Sequence, residues 1–287
     1  MIYTILFIIT TAISAILIHI IGNIMPAMLM IFLSITIALL FFNILNIKKI
    51  CLTYGSLIKN DKKNFLIINL LMLNMWGGSF LIPIYFTPSI LAIPYFLILG
   101  FCGTISLFFK KNNKFYLLRA ILLFTTLIAL YIYYSFCYQI SLFIILLVST
   151  LITGISGYLY LKVSSNFNSK SYSSIEILSF RFFIIWIISF LYVLEKQQIF
   201  QLSIEMLPMV FLIATISLII PIYFSQKSIE KIGAVKSGIG FSITPIVITV
   251  SEQPFIKVNL DFSIVFAVIF TSIIILSYLY ELVIESN

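Results

Sequence analysis

Apolar residues run along this chain in ten long blocks, separated by short polar or basic stretches. The blocks cover residues 2–22, 25–45, 65–86, 88–108, 115–134, 140–162, 174–194, 206–225, 233–251 and 261–281. Each is close to the ~20 apolar residues that carry an α-helix across a bilayer core. Lipid offers no partner to a free backbone N–H or C=O, so a spanning segment is either a helix or part of a closed barrel. Barrel strands alternate apolar and polar positions, whereas these blocks are continuous, which selects helices. The first block, Ile2 to Ile21, has no basic n-region and no small-residue cleavage site. It is therefore expected to be a span and not a signal peptide. The pattern predicts an all-α, polytopic membrane protein of ten transmembrane helices.

Composition agrees with that pattern. Of 287 residues, 62% are hydrophobic and 9% charged, and the mean hydropathy is +1.20. A soluble domain cannot hide so much apolar surface from water. The net charge of +8 comes from clusters between the apolar blocks, not from one basic face or arm. Headgroups, rather than nucleic acid, are the expected anionic partner. All but Lys196 and Lys257 of the 17 basic residues fall beside alternate links of the ten-span layout. By the positive-inside rule that side is cytoplasmic, which puts both termini in the cytoplasm of a multi-pass inner (plasma) membrane protein. Cys51, Cys102 and Cys137 show neither metal-ligand spacing nor a disulfide framework.

Ten spans divide into two fives, residues 1–136 and 137–287. Five is odd, so two copies in sequence have opposite topology, the inverted-repeat arrangement of many carriers. The word Pro83-Ile84-Tyr85-Phe86 returns as Pro221-Ile222-Tyr223-Phe224. The polar stretch from Ser164 to Ser174 is the clearest mid-chain linker, but it follows span six and so does not separate the two fives.

Three stretches of the second half resemble the EamA-type family of the drug/metabolite transporter superfamily. Leu178-Ser179-Phe180-Arg181-Phe182 opens span seven like the family's Arg-Phe helix. Ser228-Ile229-Glu230-Lys231-Ile232-Gly233-Ala234 is similar to its Leu-Lys-x-Leu-Gly-Ala turn, and Thr244-Pro245 stands where the family often has Glu-Pro. Ser251-Glu252 then ends span nine like the family's Gly-Glu. In the first half, Tyr85-Phe86-Thr87-Pro88-Ser89 looks like its Tyr-Thr-x-Ala turn. The family's Trp-Gly in span one and its Arg in span two are absent, and Gly100 replaces the proline of span four. The resemblance implies a ten-helix transporter whose central cavity is lined by spans one, three, four, six, eight and nine. It also implies a solute among amino acids, nucleotide-like metabolites and drugs.

Polar residues at membrane depth are costly to keep and so carry the search for a site. Those expected to meet a solute are Ser14, Asn74, Trp76, Ser79, Tyr95, Thr153, Arg181, Thr215, Ser217, Tyr223, Ser242 and Thr244. Serine and threonine in membrane helices also serve close packing and interhelical hydrogen bonds, which is the plainer role for each hydroxyl. Pro83, Pro94, Pro221 and Pro245 interrupt the backbone ladder and free carbonyls. Arg181 and Lys236 lie near the cytoplasmic boundary. Either contacts a carboxylate or phosphate, or snorkels to headgroups, and snorkelling is the expectation. Of the acids, Glu195, Glu205, Glu252 and Asp261 are expected at the outer surface and none at the midplane.

No His-Glu-x-x-His, paired intramembrane aspartates or Gly-x-Ser-x-Gly is present, and His19 is the single histidine. The chain is therefore expected to be a carrier, not an enzyme, with no catalytic residue, metal or cofactor. Its solute is expected to be a small polar or aromatic metabolite, an amino acid or a nucleoside-containing compound, moved by facilitation or exchange. The partners are that solute and membrane lipid, in a monomer or homodimer. A scaffold subunit without transport activity and an integral membrane transferase are the alternatives. The charge bias makes a direct prediction. In a cysteine-free background, Lys59→Cys and Lys170→Cys should stay unlabelled by an impermeant thiol reagent in intact cells, while Lys196→Cys is labelled. The reverse pattern would invert the orientation.

Overall fold

A computed structural model describes residues 1–22, 24–81, 85–255 and 261–286. Side chains at 22, 79–81, 261, 263 and 277–286 lie outside the described set, as do Pro83, Ile84 and Lys257. The described residues form helices and no strand. These are α1 (Ile2–Gly22), α2 (Ala27–Leu45), α3 (Ile50–Asn60), α4 (Lys62–Leu81), α5 (Pro88–Lys111), α6 (Lys114–Cys137) and α7 (Ile140–Ser169). They continue as α8 (Ser174–Phe180), α9 (Phe183–Glu195), α10 (Leu207–Leu212), α11 (Ile220–Phe241), α12 (Thr244–Glu252) and α13 (Asp261–Ser286). Seven helical stretches are long and apolar enough to cross a membrane, the architecture of a polytopic membrane protein.

The helices turn apolar faces outward. On α6, Leu118, Ile121, Leu122, Ile128 and Ile132 are exposed, while Ala120, Leu123, Leu127 and Leu130 are buried. Both faces are apolar, so the outer one needs lipid. The interior instead holds small polar residues, among them Ser34, Thr104, Ser189 and Ser237, all fully buried. Small residues also set the closest helix approach. A Cβ on Gly154 of α7 would stand 2.8 Å from Ile98 Cβ on α5, and one on Gly157 would stand 2.7 Å from Tyr95 Oη. Only glycine lets these two helices pack so closely.

Four departures from smooth spans shape the interior. The link expected after span two contains α3, whose Leu52 and Ile58 are exposed while Thr53 and Leu57 face inward. Such a short amphipathic helix suits a membrane surface better than its centre. A π-helical stretch, Ile213–Ile219, precedes Pro221. Proline has no N–H for the carbonyl four residues back, and Ser14 of α1 donates to that Ser217 carbonyl at 2.9 Å. At Gly233, φ 80° and ψ 168° fold α11 back on itself, a conformation essentially confined to glycine.

The most consequential departure is the break between α8 and α9, in what the sequence presents as one continuous span. Asn69 of α4 inserts its amide there. Its Nδ2 donates to the Phe180 carbonyl at 3.0 Å, and its Oδ1 accepts from Ile184 N at 3.3 Å. One side chain thus replaces the helical bond that Ile184 and Phe180 would have made, the kind of insertion that kinks a helix. The neighbouring Ser179 carbonyl accepts from Asn43 Nδ2 at 3.0 Å and Tyr54 Oη at 2.9 Å. The Ser179 and Phe180 carbonyls are thus both paired inside the bundle and not left to lipid. Replacing Asn69 by leucine should lower the midpoint of thermal unfolding, because each stranded backbone group costs ~1–3 kcal/mol. Asn74→Leu, at an exposed position of the same helix, should stay near wild type. Equal midpoints for the two variants would contradict the bridging role.

Candidate functional site

Between the helices lies a cavity of about 170 Å³. Phe7, Thr11, Ser14 and Ile18 of α1 line it, with Met72, Met75 and Trp76 of α4 and Tyr95, Phe96 and Leu99 of α5. The second half adds Thr150, Thr153 and Tyr160 of α7, Arg181 at the α8–α9 break, Pro221 and Ser225 of α11, and Ile248 of α12. Apolar side chains, with six aromatic residues and two methionines among them, make most of the wall, a surface suited to a flat or apolar body.

Its hydroxyls are mostly committed as donors. Thr150 Oγ1 donates to the Leu146 carbonyl at 2.6 Å and Thr153 Oγ1 to the Ser149 carbonyl at 2.8 Å. Ser14 is committed to the π-helical stretch of the preceding section. Thr11 Oγ1 is not: it is buried without a hydrogen-bond partner.

Arg181 is the charged member. The helix break carries it inward, and it is only 1% exposed. Its Nη1 donates to Tyr160 Oη and to Gln226 Oε1, the latter at 3.2 Å. Tyr160 Oη donates to the same Gln226 oxygen at 3.0 Å. The guanidinium carbon lies 4.9 Å from the ring centres of both Tyr160 and Phe182, so two π faces add to its stabilisation. No carboxylate pairs with it among the described residues. The snorkelling expected for Arg181 is thus corrected, because the break aims it at the cavity. Lys236, in contrast, is exposed.

Of the other residues expected at the site, the structure brings Ser14, Trp76, Tyr95 and Thr153 to the cavity. Those of the rest with described side chains lie elsewhere. Asn74 is exposed and donates to Ser156 Oγ at 3.4 Å. Thr215 is exposed, and Tyr223 packs its ring against Phe224. Ser217 contributes a carbonyl to α1, not a hydroxyl to the cavity. Ser242 and Thr244 are fully buried and bond carbonyls at the end of α11, those of Gly238 and Phe241. The Ser79 side chain lies outside the described set.

Several contributors had weak signals or none. Thr11, Tyr160, Met72 and Met75 resemble dozens of other residues in a chain of this composition. Asn69 and Gln226, in and just beyond an apolar run, were not singled out in the sequence either, and both are fully buried.

Two features beyond the cavity complete the picture. At the end of the bundle where α3 meets α8, Asp61 pairs with Lys170. Thr53 donates to Glu176 at 3.3 Å, Asn46 to Ser179 Oγ at 3.4 Å, and Ser174 N to Glu230 at 3.2 Å. The Asp61, Thr53 and Asn46 contacts tie the first half of the chain to the second at that end. Glu252, expected at the outer surface, is instead fully buried. One of its oxygens accepts from Ser89 N at 3.0 Å, at the start of α5. The positive end of that helix favours an acid there.

Compared with protein-family models and with curated proteins, the chain matches none of them.

Proposed function

We propose that this protein is a solute carrier of the EamA type, which moves a small metabolite across a plasma membrane by alternating access. The observation that carries the reading is the cavity. It is lined by α1, α4 and α5 from one half of the chain, and by α7, the α8–α9 break, α11 and α12 from the other. A site between two halves can open to either face when the halves rock against each other.

The ten-span reading groups α8 with α9, α10 with α11 as far as Gly233, and the rest of α11 with α12. α3 then lies at the cytoplasmic surface. The joined Asp61–Lys170 end carries most of the basic residues, so in this conformation the carrier is closed toward the cytoplasm. An amino acid or a nucleoside-containing compound was the expectation from sequence. A cavity of about 170 Å³ suits the smaller of these, in this conformation. Among the described residues, no acid lines it, which favours facilitation or exchange over proton coupling.

Reconstituted protein tests this. Preloading vesicles with unlabelled solute should speed uptake of labelled solute, and an imposed pH gradient alone should drive no accumulation. Trp76→Ala should slow exchange roughly tenfold, the loss of ~1.4 kcal/mol of contact, at normal membrane abundance. Uptake that follows the pH gradient and vanishes with a protonophore would overturn the exchange mechanism. No flux of any metabolite tested, with folded protein, would favour a scaffold.

A further inference from the structure

We infer that the cavity reads a single negative charge, and that its solute is a small monocarboxylate with an apolar or aromatic body, carried as an anion. The inference rests on the carrier reading and names its substrate class.

The starting point is the charge state of Arg181. A guanidinium stays protonated in proteins, so burial cannot be relieved by losing the proton. Its partners, Tyr160 and Gln226, are neutral, and both engage Nη1. Nε is buried without a hydrogen-bond partner, and Nη2 makes no hydrogen bond to the described residues. The Nε–Nη2 edge is the fork that meets a carboxylate with two parallel bonds. It is unfilled, on a residue bordering the cavity.

The sign and number of charges follow from what else lines the space. No aspartate or glutamate is among the lining residues, so nothing there offers an ion pair to the ammonium of a zwitterion. No second basic residue lines it either. A phosphate monoester, at about −1.5 to −2, would leave charge uncompensated in a low-dielectric space. One carboxylate balances one guanidinium. The size is set by volume: a cavity of about 150 Å³ is known to hold benzene, and this one is about 170 Å³. Phe7, Trp76, Phe96 and Phe241 supply the wall for a body of one ring or a short alkyl chain.

The test measures binding through the thermal unfolding midpoint of purified protein in a neutral detergent. The probes are phenylacetate, indole-3-acetate and hexanoate, each beside its uncharged amide, with phenylalanine, phenethylamine and inorganic phosphate. At least one carboxylate should raise the midpoint and bind about thirtyfold or more tighter than its amide. Phenylalanine, phenethylamine and phosphate should bind more weakly than that carboxylate. In Arg181→Gln, which keeps a polar partner for Tyr160 and Gln226, the carboxylate and its amide should differ by less than about threefold. The ranking on the unaltered protein decides the question even if that variant does not fold. Amides equal to acids, a preference for phenylalanine, or no shift with any carboxylate would overturn the inference. So would stabilisation by phosphatidylglycerol alone, which would make the anion a lipid headgroup. Failure of the carrier reading looks different: selective carboxylate binding without flux in vesicles removes transport and leaves the anion site.

Discussion

A permanently charged guanidinium in the middle of an apolar bundle is the constraint around which the interior is arranged. Born-type desolvation makes such a burial expensive, so each side of Arg181 needs a compensating group. Two aromatic faces lie against it, a phenol and an amide oxygen accept from it, and the residue borders the cavity. It reaches that position only because the helix breaks between Phe180 and Phe183. The break is tolerated because Asn69, Asn43 and Tyr54 bond the backbone groups it exposes. Sequence, break, bridging amides and charged edge thus form one chain of dependence, and α4 and α2 serve it as directly as α8 and α9 do.

Around that centre the bundle obeys the rules of a protein whose solvent is lipid. Leucine and isoleucine cover the outside, and packing inside relies on small residues and short hydrogen bonds. Gly154 and Gly157 bring α7 against α5, which fixes Tyr95 at the cavity wall. Ser14 repays the carbonyl that Pro221 leaves free and so couples α1 to the π-helical stretch. Both contacts join one half of the chain to the other. Relative motion of the halves must pass through them, and through the Asp61–Lys170 end.

The positions of the apolar blocks were legible because hydropathy over a whole span is a large, redundant signal. Local breaks were not. The α8–α9 break contains neither proline nor glycine, and its cause, Asn69, lies far away in sequence. Gly233 was legible as a turn, since its φ of 80° is what glycine is used for. Within the site, aromatic and charged residues such as Trp76, Tyr95 and Arg181 were easier to find than hydroxyls. A serine on a helix faces the cavity or its own backbone according to rotation about the axis, and in so uniformly apolar a helix the sequence marks no face. That is why Ser242 and Thr244 lie in packing contacts. Glu252 was misplaced for a related reason. Its position at the end of a span reads as surface, but the start of α5 covers it.

Alternating access of the cavity can be measured directly with Thr11→Cys in a cysteine-free protein, in membranes of known orientation. The carrier reading predicts reaction with an impermeant thiol reagent from the outer face alone. Adding Asp61→Asn and Lys170→Ala, which unties the cytoplasmic end, should shift reactivity to the inner face. Simultaneous reaction from both faces would describe a channel, and no reaction from either face, before or after the end is untied, would contradict a transport cavity.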